Sequence, residues 1–208
     1  MSGTIRIARK LRRQASAFLA DVKGVAALEM ALILPLALML MSLVVYGGQA
    51  YGVQRRVTLA ATTVANIFAQ ANNINTSTIT APELTQILAY PNLILYPYDG
   101  SSASVVVSQL LVTVNSNGTA TGTVQVSCAN ANGTVRPKNQ QLSVDPSIAA
   151  AFSTGSTQNY VVLGEVSYPF QATGIWFSVG AITLHDSIIM IPRVASPITV
   201  QTTPQCTS

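Results

Sequence analysis

Apolar residues form one long run near the N-terminal end of the chain. The run extends from Val25 to Tyr46, and only Glu29, Pro35 and Ser42 interrupt it. A helix of this length spans roughly 33 Å, which is enough to cross the roughly 30 Å hydrocarbon layer of a bilayer. The pattern therefore predicts a transmembrane helix over residues 25–46.

After this run the pattern becomes that of an amphipathic helix. Between Val53 and Ala71 apolar side chains recur about every 3.6 residues, as expected for a helix with one buried face. They are Val57, Ala60, Ala61, Val64, Ile67 and Phe68. We therefore expect the helix to continue outside the membrane as a stem over residues 47–71. Gly48 and Gly52 have a spacing that allows close helix approach in lipid, but glycines also end helices.

From residue 72 the composition shifts to Asn, Thr, Ser, Gly and Val, which indicates a separate head over residues 72–208. Thr80-Ala81-Pro82-Glu83 has the form of a capping box with proline in the first turn. It predicts a short helix that continues to about Tyr90 and is ended by Pro91. A second short helix is expected from Asp145, an N-cap residue followed by proline, to Phe152.

Runs rich in β-branched residues predict the strands of the head. Ser104–Val114 and Thr119–Cys128, separated by the turn Asn115-Ser116-Asn117-Gly118, are predicted to form a hairpin. Two further strands are expected over Asn159–Tyr168 and Ala181–Ile191. The predicted fold class is α+β, in which a long transmembrane helix continues as an amphipathic stem and packs on a small antiparallel sheet of about four strands with short helices.

The charges lie mostly at one end of the chain. Residues 1–56 carry eight Lys and Arg against two Asp and Glu, whereas residues 57–208 carry three against five. A nucleic-acid-binding protein places its basic residues on the folded part, so this distribution argues against nucleic acid as a partner. The basic residues that precede the apolar run are Arg6, Arg9, Lys10, Arg12, Arg13 and Lys23.

This charge asymmetry predicts the membrane topology through the positive-inside rule. It predicts a basic cytoplasmic leader over residues 1–24 and a head on the other side of the membrane. Tyr46 and Tyr51 fit an aromatic belt at the outer interface, where Arg55 and Arg56 would meet the headgroups.

Two simpler interpretations of the N-terminal segment stay open. A secretory signal peptide also combines basic and apolar regions, and Gly48-Gln49-Ala50 could supply its cleavage site, although its apolar region usually has only about 7–15 residues. An uncleaved signal anchor fits the length of the run without any processing.

Glu29 is unusual because a carboxylate inside a spanning helix costs a few kcal/mol unless it is neutralised, paired or drawn to the interface. It is the fifth residue after Gly24, in Gly24-Val25-Ala26-Ala27-Leu28-Glu29. This arrangement resembles the processing site of type IV prepilins. Together with Pro35, the string GVAALEMALILP resembles the N-terminal segment of the TadE-like family of pseudopilins.

The resemblance implies roles for these residues. A prepilin peptidase would cut after Gly24 and leave Val25 as a new N-terminus. The carboxylate of Glu29 would then pair with the amine of a neighbouring subunit and set the register of the packed helices. The alternative for Glu29 is a side chain that extends to the lipid headgroups without a partner.

The resemblance extends into the head. The strings Val161–Phe170 and Ile182–Arg193 look like the C-terminal half of TadE- and TadG-type proteins. The remainder of the head is similar only in character.

Cys128 and Cys206 are the two cysteines, and the predicted topology places both in an oxidising periplasm. One disulfide between them is expected, with two unpaired thiols as the alternative.

The sequence offers little for catalysis. His185 and Asp186 are adjacent, so on a strand they face opposite sides, and a triad needs a separately oriented histidine. The single histidine also argues against a zinc site, and no cofactor is expected. Glu165, Asp186 and His185 are interpreted as structural or solvated side chains.

Two classes of function follow. The first, which the resemblance implies, is a pseudopilin-like structural component of a bacterial tight-adherence (Flp-type IV) pilus machine, not an enzyme, anchored in the inner membrane. Its partners would be other pilins and pseudopilins, proteins of the assembly machine and a prepilin peptidase. The second is a membrane-tethered periplasmic or surface binding module whose specificity lies in loops such as Tyr96–Gly100 or Trp176-Phe177.

Overall fold

The computed structural model describes residues 22–70, 78–115, 119–145, 147–148, 159–171, 180–193, 197–201 and 203–207. The chain divides into two units, one ending at Gly48 and the other running from Gln49 to Ser208. Residues 1–21, which hold most of the predicted leader, lie outside the described residues, as do Trp176 and Phe177. The fold is α+β with a sheet head, which confirms the predicted fold class.

A single helix, α1, runs from Val22 to Gln70. The glycines at positions 47, 48 and 52 lie inside it, so they do not end the helix. Pro35 also lies inside it, where the missing N–H removes the bond to the carbonyl of Ala31. The last residue of the predicted stem, Ala71, lies outside the described residues.

The head contains a six-stranded antiparallel sheet formed by β2 (Ser104–Val114), β3 (Ala120–Ala129), β4 (Gln141–Val144), β5 (Asn159–Phe170), β6 (Ile182–Met190) and β8 (Cys206–Thr207). The strand order is β4-β3-β2-β5-β6, and β8 also pairs with β3. The predicted hairpin is present as β2 and β3, with a bulge between Gln109 and Leu110. A separate parallel pair joins β1 (Thr78–Ile79) to β7 (Thr199–Val200).

The prediction of about four strands was too low because β1, β4, β7 and β8 are short. A strand of two to four residues is too brief to show the alternation on which sequence prediction depends. Strand β5 also continues two residues beyond its predicted end and includes Pro169, whereas β6 is one residue shorter at each end.

The second helix, α2, spans Ala81–Ile94. The predicted capping interaction is present, since the backbone N–H of Thr80 donates to Glu83 Oε2 at 2.9 Å. The prediction that Pro91 ends this helix was wrong. Pro91 is buried inside α2, and its carbonyl accepts a hydrogen bond from the N–H of Leu95 at 2.9 Å, so burial of Pro91 and Leu95 outweighs the missing donor.

The helix predicted from Asp145 is described only in part. The Asp145 side chain accepts a hydrogen bond from the backbone N–H of Ser147 at 2.8 Å, as an N-cap does. Residues 147–148 are helical, and the rest of that segment, including Phe152, lies outside the described residues.

The core of the head lies on both faces of the sheet. On one face the stem part of α1 buries its apolar stripe, in which Val53, Val57, Val64 and Phe68 are fully buried. On the other face a cluster forms around Leu110, Val112, Ala120, Val124, Val144, Val161 and Leu163. The predicted amphipathic stripe is therefore the surface that joins the stem to the sheet.

Candidate functional site

The first part of α1 leaves its apolar surface uncovered. From Gly24 to Met41 every side chain is exposed, and Leu32 reaches 76% exposure. Exposed apolar residues occur on every side of the helix, which is the pattern of a helix surrounded by lipid. Its length and composition suit a single-pass membrane anchor.

The hydroxyl of Ser42 is bonded within the helix itself. The hydroxyl of Ser42 donates to the carbonyl of Leu38 at 2.7 Å. A hydroxyl in hydrocarbon has no water to bond, so this internal bond removes its cost.

The structure describes all three predicted residues of the N-terminal site. Gly24 and Val25 lie in the first turns of α1, so the bond between them is helical in this structure. Glu29 lies one turn after Val25 on the same side of the helix, and its side chain is exposed. Among the described residues no cation forms a salt bridge with it.

The contact between stem and sheet depends on small residues that sequence reasoning did not single out. A Cβ atom added at Gly164 of β5 would lie 2.7 Å from Cβ of Ala65 and 3.1 Å from the carbonyl oxygen of Ala61. Glycine is favoured here because any Cβ would clash with the side chain of Ala65 and crowd the backbone of α1. No sequence signal identifies Gly164, because its partner lies about 100 residues earlier in the chain.

Arg56 also differs from expectation. Its guanidinium donates to the carbonyls of Ile94 and Tyr96, at the end of α2, and lies 5.9 Å from the ring centre of Tyr98. It therefore fastens the stem to the segment after α2, with a cation–π contribution from Tyr98. Arg55, by contrast, is exposed.

The main ion pair of the head joins Arg136 to Glu165. The guanidinium donates two hydrogen bonds to the carboxylate, at 2.9 and 2.7 Å. This bond raises the pKa of Arg136 above its ordinary value. Glu165 is thus a paired structural acid, one of the two interpretations that its sequence position allowed.

Backbone and side-chain bonds connect this pair to the disulfide. The structure joins Cys128 of β3 to Cys206 of β8 in a disulfide that links residues 78 positions apart. Thr207 donates its hydroxyl to the carbonyl of Arg136 at 2.7 Å, and the N–H of Arg136 donates to Ser127 Oγ at 3.0 Å. The C-terminal strand therefore holds the loop that carries Arg136 against the sheet.

His185 and Asp186 point to opposite faces of β6, as their adjacency predicts. His185 Nδ1 lies 2.8 Å from Ser167 Oγ, whereas the Asp186 carboxylate accepts a hydrogen bond from Thr58 on α1. Asp186 is therefore part of the contact between stem and sheet and does not orient the imidazole. Within the described ranges no group of three His, Cys, Asp or Glu residues is placed to hold a metal ion.

These observations define a class of protein: a single long helix, apolar and uncovered in its first half, that carries a disulfide-linked sheet head on its second half. A family model described as TadE-like protein matches residues 24–66, which all lie in α1. The match confirms the resemblance to the TadE-like family over this segment of the chain. No curated protein and no solved structure matches the chain.

Proposed function

We propose that this protein is a pseudopilin-like structural component of a bacterial tight-adherence pilus assembly machine, and that it acts by helix packing rather than by chemistry. The observation that carries the proposal is the coincidence of the family match with the uncovered apolar helix. An exposed apolar surface of this size needs a lipid or protein partner.

In this proposal the chain crosses the inner membrane once. Residues 1–24 form a cytoplasmic leader, 25–46 the membrane helix, 47–71 the stem and 72–208 a periplasmic head. The excess of basic residues before the apolar run supports this orientation, because positive charge is retained on the cytoplasmic side. An oxidising periplasm also suits the disulfide between Cys128 and Cys206.

Prepilin-type processing would create the packing site. Cleavage after Gly24 frees the amine of Val25, one helical turn from Glu29. In a bundle of parallel helices the amine of one subunit meets the carboxylate of the next, and leaving either charge unpaired in the membrane costs about 3–5 kcal/mol. This pairing would give a lipid-embedded carboxylate its partner.

The partners that follow are other pilins and pseudopilins of the same machine, its assembly proteins, and a prepilin peptidase. The peptidase must reach a bond that is helical in the uncleaved chain. Gly24 supports this step because glycine weakens the first turn of the helix by about 1 kcal/mol relative to alanine.

Processing is tested by the intact mass of the protein from membranes of its native host. The expected chain begins at Val25. Gly24→Leu should keep the full-length chain, while Gly47→Leu, which also enters open space on α1, should be processed normally. A wild-type chain that keeps its first 24 residues would contradict cleavage.

The packing role is tested by pilus formation. Replacing residues 25–46 with an unrelated spanning helix should abolish pili while the head is still exported with its disulfide. Glu29→Gln should have the same effect, and Ser42→Ala, which removes a hydroxyl already bonded within its own helix, should not. Normal pili with the foreign helix would refute a packing role and favour a tethered binding module.

A further inference from the structure

The unit that begins at Gln49 has an apolar and basic surface at the end where α1 enters it. Its exposed residues include Tyr51, Arg55 and Leu59 on the stem, together with Leu93 in the last turn of α2 and Tyr96 just after that helix. We call these five residues the entry surface. Leu93 and Tyr96 are each 74% exposed, the highest values among the large apolar side chains described in this unit.

Two observations place Leu93 and Tyr96 beside the first turns of the stem. An open groove is lined by Ile94 together with stem residues from Gly52 to Thr62. The Arg56 side chain reaches the carbonyls of Ile94 and Tyr96, and helical side chains tilt toward the N-terminal end of their helix. The end of α2 therefore lies beside the first turns of the stem, next to Arg56.

Helix α2 changes in character along its length toward this end. Glu83, Thr85 and Gln86 are exposed near its start, whereas its exposed large apolar side chains, Tyr90 and Leu93, lie near its end. Both arginines of the stem lie in the groove, and no acid is among its lining residues within the described part of the chain. Aromatic and aliphatic side chains combined with arginine are typical of the membrane interface.

We propose that the head docks on the bilayer from which its own helix emerges, with Leu93 and Tyr96 inserted at the interface and Arg55 against anionic headgroups. The chain itself argues for this occupant, because Gln49 follows the apolar segment directly and Tyr51 and Arg55 are within two turns of it. The inference rests on the proposed membrane anchoring. It adds that the stem does not hold the head away from the membrane.

The test uses the full chain reconstituted in vesicles of phosphatidylcholine and phosphatidylglycerol that contain brominated lipid, which quenches nearby tryptophan. In a Trp176→Phe background, single tryptophans are placed by Leu93→Trp and Tyr96→Trp. Gln86→Trp is the matched control, since position 86 is also exposed on α2 and lies on the same side as Leu93, two turns earlier. Circular dichroism and the mass of the intact disulfide verify that each variant is folded.

We expect strong quenching and a blue-shifted emission at positions 93 and 96, and weak quenching at 86. Arg55→Gln should lower the ratio of docked to undocked head about fivefold in phosphatidylglycerol vesicles, the effect of one arginine near an anionic surface. Arg193→Gln should change little, because the N–H of Arg193 bonds to the carbonyl of Ala69, roughly 21 Å farther along α1.

Leu38→Trp separates failure of the inference from failure of the anchoring on which it rests. If the tryptophan at position 38 is quenched, but those at positions 93 and 96 are quenched no more than that at position 86, docking is overturned and the anchor is left intact. Absence of quenching at 38 would overturn both. Blue-shifted emission at 93 and 96 without quenching would mean that protein covers the entry surface, and would overturn docking on lipid in favour of a second subunit.

Discussion

Gly164→Ala tests the closest contact between the stem and the sheet. The new Cβ would lie 2.7 Å from Cβ of Ala65, whereas carbon atoms in contact prefer about 3.5–4.0 Å. Helix α1 must therefore retreat from β5 by about 1 Å, and a gap of that size forfeits a quarter to a half of the dispersion energy of the contacts it separates. We expect a loss of about 1–3 kcal/mol in the free energy of unfolding, as for other overpacked cores.

The assay is urea unfolding of the full chain in detergent, followed by near-ultraviolet circular dichroism. Gly180→Ala is the matched control, since a Cβ at position 180 meets nothing within 4 Å. Gly122→Ala should fall between the two, because its nearest neighbour is Cγ2 of Val144, a side-chain end at 2.9 Å on a short edge strand.

Ala65→Gly provides the rescue. Removing Cβ of Ala65 eliminates the closest clash, so the double variant with Gly164→Ala should be more stable than the sum of the two single losses predicts. Part of the loss should remain, because the carbonyl of Ala61 stays 3.1 Å from the new atom. If Gly164→Ala is within about 0.5 kcal/mol of Gly180→Ala, the stem is not pressed against β5 and the reasoning is refuted.

Three further predictions concern the head. Replacing Cys128 and Cys206 together by serine should cost roughly 4 kcal/mol, the chain-entropy value for a loop of 78 residues, and unchanged urea unfolding would contradict a stabilising disulfide. Glu165→Ala should lower the free energy of unfolding by about 1–3 kcal/mol because it leaves the half-buried guanidinium of Arg136 unpaired. Glu165→Gln keeps one hydrogen-bond acceptor and should lower it by less. Equal losses for the two variants would contradict a role for this pairing. Hydrogen bonds from Thr80 lower the pKa of Glu83 in the folded chain from its ordinary value of 4.5. The ionised Glu83 side chain therefore stabilises the fold fully above pH 4.5, and this stabilisation is lost as the pH falls through the lowered pKa. Glu83→Gln should therefore reduce stability at neutral pH but not in acid, and an equal reduction at both would refute the assignment.

Local patterns were sufficient to predict much of the fold. The hairpin of β2 and β3 follows from β-branched runs around a turn, and the cap of α2 follows from the spacing of Thr80 and Glu83. The end of α2 could not be predicted in the same way. The local rule that proline stops a helix was overridden by burial of Pro91 and Leu95, which depends on distant parts of the chain.

The residues of the candidate site likewise divide into those that local sequence patterns predict and those that only tertiary packing brings together. The sequence by itself determined the apolar helix, the position of Glu29 one turn after Val25, and the amphipathic stripe of the stem, because each depends only on spacing along one helix. Only the tertiary structure decided that position 164 favours glycine, that Arg136 pairs with Glu165, and that Arg56 bonds to the end of α2 beside an exposed Leu93 and Tyr96. Each of these contacts joins residues 29 or more positions apart, and such pairings are set by how the helices pack on the sheet rather than by local sequence preference.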